Sequence, residues 1–103
     1  MYIVVFVTCT GPAQAKKIAS SLVAGKLVAC VNIVPAVRSL FWWKGKVDKA
    51  AEVLLVIKSK RSAFPRIAKL VKSLHSYTVP EIIAMPIVAG NKDYLEWIDE
   101  SVR

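Results

Sequence analysis

The sequence has few of the residues that cross-link or chelate. Among 103 residues there are two cysteines, one histidine and four glycines. Two cysteines do not make the disulfide framework of a small secreted scaffold. One histidine, His75, with no second His or Cys at ligand spacing, cannot build a zinc site alone. Acidic residues are scarce as well: none precedes Asp48, and four of the seven lie between Asp93 and Glu100. The longest early apolar run, Tyr2 to Val7, is too short to span a bilayer. The first lysine, Lys16, stands behind that run, so no signal-peptide n-region is read. Repeats, linkers and low-complexity tracts are absent. These features predict one domain over residues 1–103, with no membrane partner, in a reducing cytoplasm.

What is present is apolar and basic. Hydrophobic residues make up 55% of the chain, and 15 Lys and Arg against 7 Asp and Glu leave a net charge of +8. That much apolar surface is hard to hide in so small a body, which predicts an oligomer. Excess positive charge invites anions and also keeps a surface solvated.

Tyr2 to Cys9 is a β-branched run that reads as a strand buried on both faces. Thr10 is placed to cap a helix with Pro12 in its first turn, Ala15, Ile18, Ala19 and Leu22 as core stripe, and Gly25 as stop. Ala29 to Trp43 reads as one long strand, with Pro35 predicting an edge position or a bulge. Lys44-Gly45-Lys46 turns the chain, and Glu52 to Lys58 returns to complete a hairpin. Ser62 is placed to cap a second helix over Phe64, Ile67, Ala68, Val71 and Leu74. Val79 to Val88 reads as a strand, and Tyr94, Leu95, Ile98 and Val102 line a final helix. The order β-α-β-β-α-β plus an extra C-terminal helix is an α+β, ferredoxin-like sandwich with strand order fourth, first, third, second.

The second strand is about twice the usual strand length. Its excess must project, carrying Leu40, Phe41, Trp42 and Trp43 on an arm that needs another chain to pair with. Trp42 and Trp43 point to opposite faces of that arm.

The chemistry-bearing residues fall at strand ends. Parallel first and second strands put Cys9 and Cys30 at opposite ends of the sheet, beyond the ~7 Å Cα limit for a bridge. Each is a buried hydrophobe, a free thiol or a soft metal ligand. Lys58, opposite Cys30 in the hairpin register, is an anion contact, a poised base or a solvated strand-end lysine. His75 is a ligand shared between subunits or a helix-C-terminal histidine favoured by the dipole. Glu81, behind Val79-Pro80, binds a cation or forms a surface ion pair. Cys30 and Lys58 belong near one end of the sheet; His75, Glu81 and the hairpin tip belong near the other. Within one chain they form no single compact site. The third strand, Ala51 to Ile57, has no stacking aromatics, so no nucleic-acid partner is read on the sheet.

The segments Ala29-Cys30-Val31-Asn32, Ser39 to Gly45, Ile57-Lys58-Ser59, His75 to Ile82 and Tyr94 to Ile98 together resemble the CutA family of divalent-cation tolerance proteins. The resemblance spans nearly the whole length. It implies a ferredoxin-like homotrimer joined partly through the long hairpins, and binding of copper or another divalent metal ion in metal tolerance. It implies an inter-subunit cleft containing Cys30, Trp43, Lys58, His75, Tyr77 and Glu81, with Cys30, His75 and Glu81 as candidate metal donors. The family usually has Tyr where Phe41 stands and Pro where Ser76 stands. A trimer of this shape is also similar to the PII signalling proteins, which leaves a small anionic ligand as an alternative. An enzyme working in the inter-subunit cleft is a further alternative, and a binding protein is favoured over it.

Overall fold

A computed structural model describes residues 1–103. Four strands, β1 (Tyr2–Cys9), β2 (Cys30–Trp43), β3 (Lys46–Lys60) and β4 (Ile82–Pro86), form one sheet ordered β2-β3-β1-β4. All three pairings are antiparallel. The helices are α1 (Pro12–Ala24), α2 (Phe64–Leu74) and α3 (Lys92–Ser101). This is the ferredoxin-like order with one helix added.

Alternation along the strands sorts the core. Ile3, Val5, Val7 and Cys9 of β1 and Val53, Leu55 and Ile57 of β3 are buried. They pack with Ile18 and Leu22 of α1 and Ile67 and Val71 of α2. The opposite face of the sheet has no such layer. The expectation that β1 is buried on both faces therefore fails for the single chain: Tyr2, Val4, Phe6 and Thr8 are only half-buried. Helix α3 crosses the base of this second face. There Asp99 accepts a hydrogen bond from the Tyr2 hydroxyl and pairs with Lys60 at 3.7 Å. Between α3 at the base and the loop around Tyr77 at the top, the face has no covering layer.

The caps differ from expectation. Gly11, not Thr10, is the N-cap of α1, without a side-chain bond. Thr10 instead gives its amide to the Gln14 side chain at 3.0 Å. A 3-10 turn, Arg61–Ala63, precedes α2, so Ser62 lies inside a helical turn and Ala63 holds the cap position. For α3 the cap is Asn91, whose side chain accepts from the Asp93 amide. Strand β4 is half the predicted length: pairing with β1 begins only at Ile82, after Pro80, and ends at Pro86, opposite Ile3 near the start of β1.

The hairpin arm is as long as the sequence requires and its return strand is longer, starting at Lys46 rather than Glu52. Register shifts between Val34 and Val37, with Ala36 at φ 64, so Pro35 marks a bulge on an edge strand. Lys44 (φ 51) and Gly45 (φ 77) make the two-residue turn that matches strand twist. Leu40 and Trp42 are 77% and 75% exposed on this arm.

Candidate functional site

The polar side chains on the bare face form two groups at opposite ends. At the base, Cys30 pairs directly with Lys58 across β2 and β3. Directly opposed residues share a face, so thiol and ammonium lie side by side. The Lys58 ammonium donates to the Asn32 side-chain carbonyl. The Cys30 Sγ lies 3.8 Å from the same oxygen. Tyr94 of α3 closes this group from below; burial raises its hydroxyl pKa, with a further contribution from neighbouring Cys30.

At the top, the segment after α2 folds back over the ends of β1 and β3. The His75 Nε2 lies 2.7 Å from the Thr8 carbonyl oxygen. A carbonyl only accepts, so Nε2 carries the proton and Nδ1 has the lone pair. That lone pair accepts the Tyr77 amide at 3.1 Å. Both ring nitrogens are therefore engaged within the chain. The His75 and Tyr77 rings stack at a tilt of 45° with centroids 4.8 Å apart. The Tyr77 hydroxyl donates to Glu52 Oε2 at 3.0 Å. Its pKa is raised, first by burial and then by this bond and the charge of Glu52. Gln14 holds the loop from the other side by donating to the Ser76 hydroxyl at 3.0 Å.

Glu52 is the one charged side chain in the buried set, 7% exposed. It lies close enough to Cys9 to add to the effect of burial, which pushes that thiol up to about 11. Cys9 is therefore a neutral core side chain. Both cysteines are free, and only Cys30 is accessible.

A groove of about 830 Å³ runs between the arm and this loop, lined among others by Phe41, Trp43, Glu52, Tyr77 and Glu81. Glu81 is exposed and belongs to neither of the chain's two ion pairs. A second pocket of about 550 Å³ beside the outer edge of β4 contains none of the candidate residues.

Trp43, Tyr77 and Glu81 thus share one groove, with His75 behind Tyr77, while Cys30 and Lys58 lie at the far end of the sheet. No three His, Cys, Asp or Glu side chains of one chain come together as a metal site. Of the donors considered, Cys30 and Glu81 are open to a cation. His75 as it stands has no free lone pair. Sequence reasoning missed Glu52, Thr8, Asn32 and Tyr94. Glu52 was readable only as an acid leading an apolar run; its burial comes from a loop 25 residues away in sequence.

Fold and polar groups together define a ferredoxin-like domain with an overlong hairpin, polar at both ends of an uncovered sheet face. The comparisons with known proteins give the family and the same fold. The family described as CutA1 divalent ion tolerance protein matches residues 3–101. The chain belongs to this family. It is 48% identical to "Protein CutA 1, chloroplastic" of Oryza sativa over 98% of its own length and 57% of that protein's. It is 47% identical to the divalent-cation tolerance protein CutA of Thermus thermophilus over 95% of each. The solved Thermus thermophilus structure superposes with a TM-score of 0.98 at 46% identity, covering 100% of both chains. A structure from Archaeoglobus fulgidus, described as a periplasmic divalent cation tolerance protein, superposes with a TM-score of 0.97 at 42% identity, again over 100% of both. The chain spans a little over half the length of its rice, Arabidopsis and mouse relatives, at 57%, 56% and 54%. No helix is long and apolar enough to cross a membrane.

Proposed function

We propose that the chain works as a homotrimer that binds divalent cations, copper foremost, and serves metal-ion tolerance in the cytoplasm. The carrying observation is the bare sheet face with open donors at its two ends and an apolar arm beyond it. A half-apolar face with Val4, Phe6, Ile83 and Met85 on it needs cover, and three copies related by a threefold axis cover it with themselves. Such closure brings the base of one copy toward the top of the next, so Cys30 and Lys58 meet Tyr77, Glu81 and Trp43 across an interface.

Copper suits the donor set. Thiolate favours copper(I), and carboxylate and imidazole favour copper(II). Cys30 and Glu81 are the donors, from different copies. His75 becomes a ligand only by giving up the Tyr77 amide; in the resting chain it orients the loop that carries Glu81. Two unpaired thiols suit a reducing compartment. The third strand, Lys46–Lys60, carries no aromatic side chain on which bases could stack, so the proposal includes no nucleic-acid partner despite the positive charge.

The test is a copper and zinc titration of metal-free protein, with Cys30→Ser, Glu81→Gln and His75→Ala alongside, and sedimentation of the same samples. The expected result is a trimer whose copper affinity falls roughly tenfold or more on loss of either donor. Unchanged binding curves for Cys30→Ser and Glu81→Gln would remove the site, and a monomer at micromolar concentration would remove the assembly.

A further inference from the structure

Two charges on the bare face are at least half-buried and have no ion-pair partner in their own chain. Lys58 is half-buried and donates only to the Asn32 side-chain carbonyl. Glu52 is 7% exposed and is hydrogen-bonded by the Tyr77 hydroxyl. The ion pairs of the chain are Lys60–Asp99 and Lys92–Glu96, so neither residue takes part in one. A buried carboxylate without a cation is unusual, because desolvation disfavours the isolated charge.

Both residues sit on β3, and their even spacing puts them on the same face. Lys58 stands opposite Cys30 at the base, and Glu52 opposite Val37 where the arm leaves the body. They are six residues apart, roughly 20 Å along a strand at about 3.3 Å per residue. No rotamer joins them within one chain. Of the other charges of this face, Lys60 holds Asp99, Asp48 and Lys46 lie exposed near the arm tip, and Glu81 stands exposed in the groove, where water already solvates it.

Covering the face by further copies strips water from half-buried Lys58 and removes the little that still reaches Glu52. Each then needs an opposite charge, and the same face of the neighbour supplies it. We propose that Lys58 of one copy pairs with Glu52 of the next, once per interface. This contact locks base to top and sets the order of copies around the axis. The occupant of the face is a second copy of this chain, chosen by complementary charge. Tyr77 keeps one oxygen of Glu52; the other receives the ammonium. The inference rests on the trimer reading and adds the pair that closes it.

Charge exchange tests it. Lys58→Glu, Glu52→Lys and the double variant are compared with the unaltered chain by sedimentation equilibrium, with far-UV circular dichroism as a check on folding. Each single variant juxtaposes like charges and is expected to weaken assembly by about tenfold or more, whereas the double variant restores trimers. Singles that assemble as well as the unaltered chain, or a double variant no better than the singles, would overturn the pair while the trimer stands. An unaltered chain that sediments as a monomer overturns both. Should Glu52→Lys unfold, Glu52→Gln and Lys58→Met complete a milder cycle. Their effects on assembly are expected to be non-additive, and strict additivity would overturn the pair.

Discussion

At the scale of single residues, burial separates side chains of the same type. Cys9 and Cys30 differ only in what surrounds them. Burial, then the Glu52 charge, raises the Cys9 pKa to about 11, whereas Cys30 is reachable from solvent. Native protein treated with iodoacetamide at pH 8 should be labelled at Cys30 and not at Cys9, as read by peptide mass spectrometry. The same shift sets a pH dependence. Because the folded thiol keeps its proton longer than the unfolded one, its contribution is complete below pH 9 and is lost as pH rises toward 11. Denaturation midpoints should fall over that window, and less steeply in Cys9→Ala. Tyr77 is the other informative residue. Removing its hydroxyl takes away the one side-chain donor that Glu52 has within its own chain, so Tyr77→Phe should cost about 1–3 kcal/mol in a denaturant titration. A stability equal to that of the unaltered chain would mean that this hydrogen bond contributes nothing.

At the scale of elements, the hairpin arm carries the argument. Its length, its bulge at Pro35 and its tip at Lys44-Gly45 were all legible, because proline, glycine and alternation act locally. The Gly45 φ of 77 lies where a side chain clashes with its own backbone. Gly45→Ala should lower stability by roughly 1–2 kcal/mol, seen as a lower melting temperature. The helix caps were less legible. Thr10 and Ser62 have suitable side chains, yet the caps fall one residue later, at Gly11 and Ala63. Packing of Ala15 and Ile67 into the core sets where each helix starts, and a cap bond worth about 1 kcal/mol yields to it. The pattern predicts strand from Val79, but pairing with β1 begins only at Ile82, and the residues before it belong to the loop that Tyr77 and His75 tie to Glu52 and Thr8.

At the scale of the whole molecule, one chain is visibly incomplete. Its helices cover one face of the sheet, while Trp42, Trp43, Ile83 and Met85 stand in solvent on the arm and the edge strand. A chain of charge +8 repels its own copies, so apolar burial and specific pairing must outweigh that repulsion. Assembly should therefore strengthen as salt rises from low to moderate concentration. Tryptophan emission offers a direct reading: Trp42 is 75% exposed in the lone chain, and its burial should shift the spectrum to the blue in concentrated samples and back to the red on dilution. A spectrum independent of concentration, with sedimentation showing single chains, would contradict self-association.

The order of elements, the strand order, the overlong hairpin and the separation of Cys30 and Lys58 from the His75–Glu81 loop are written in the residue pattern. Those follow from periodicity, turn residues and strand register, which depend on neighbours along the chain. The engagement of both His75 nitrogens, the burial of Glu52 beneath Tyr77 and the open sheet face emerge only once the chain is folded. Each of these depends on groups far apart in sequence meeting at hydrogen-bond distance, which pattern and propensity do not encode.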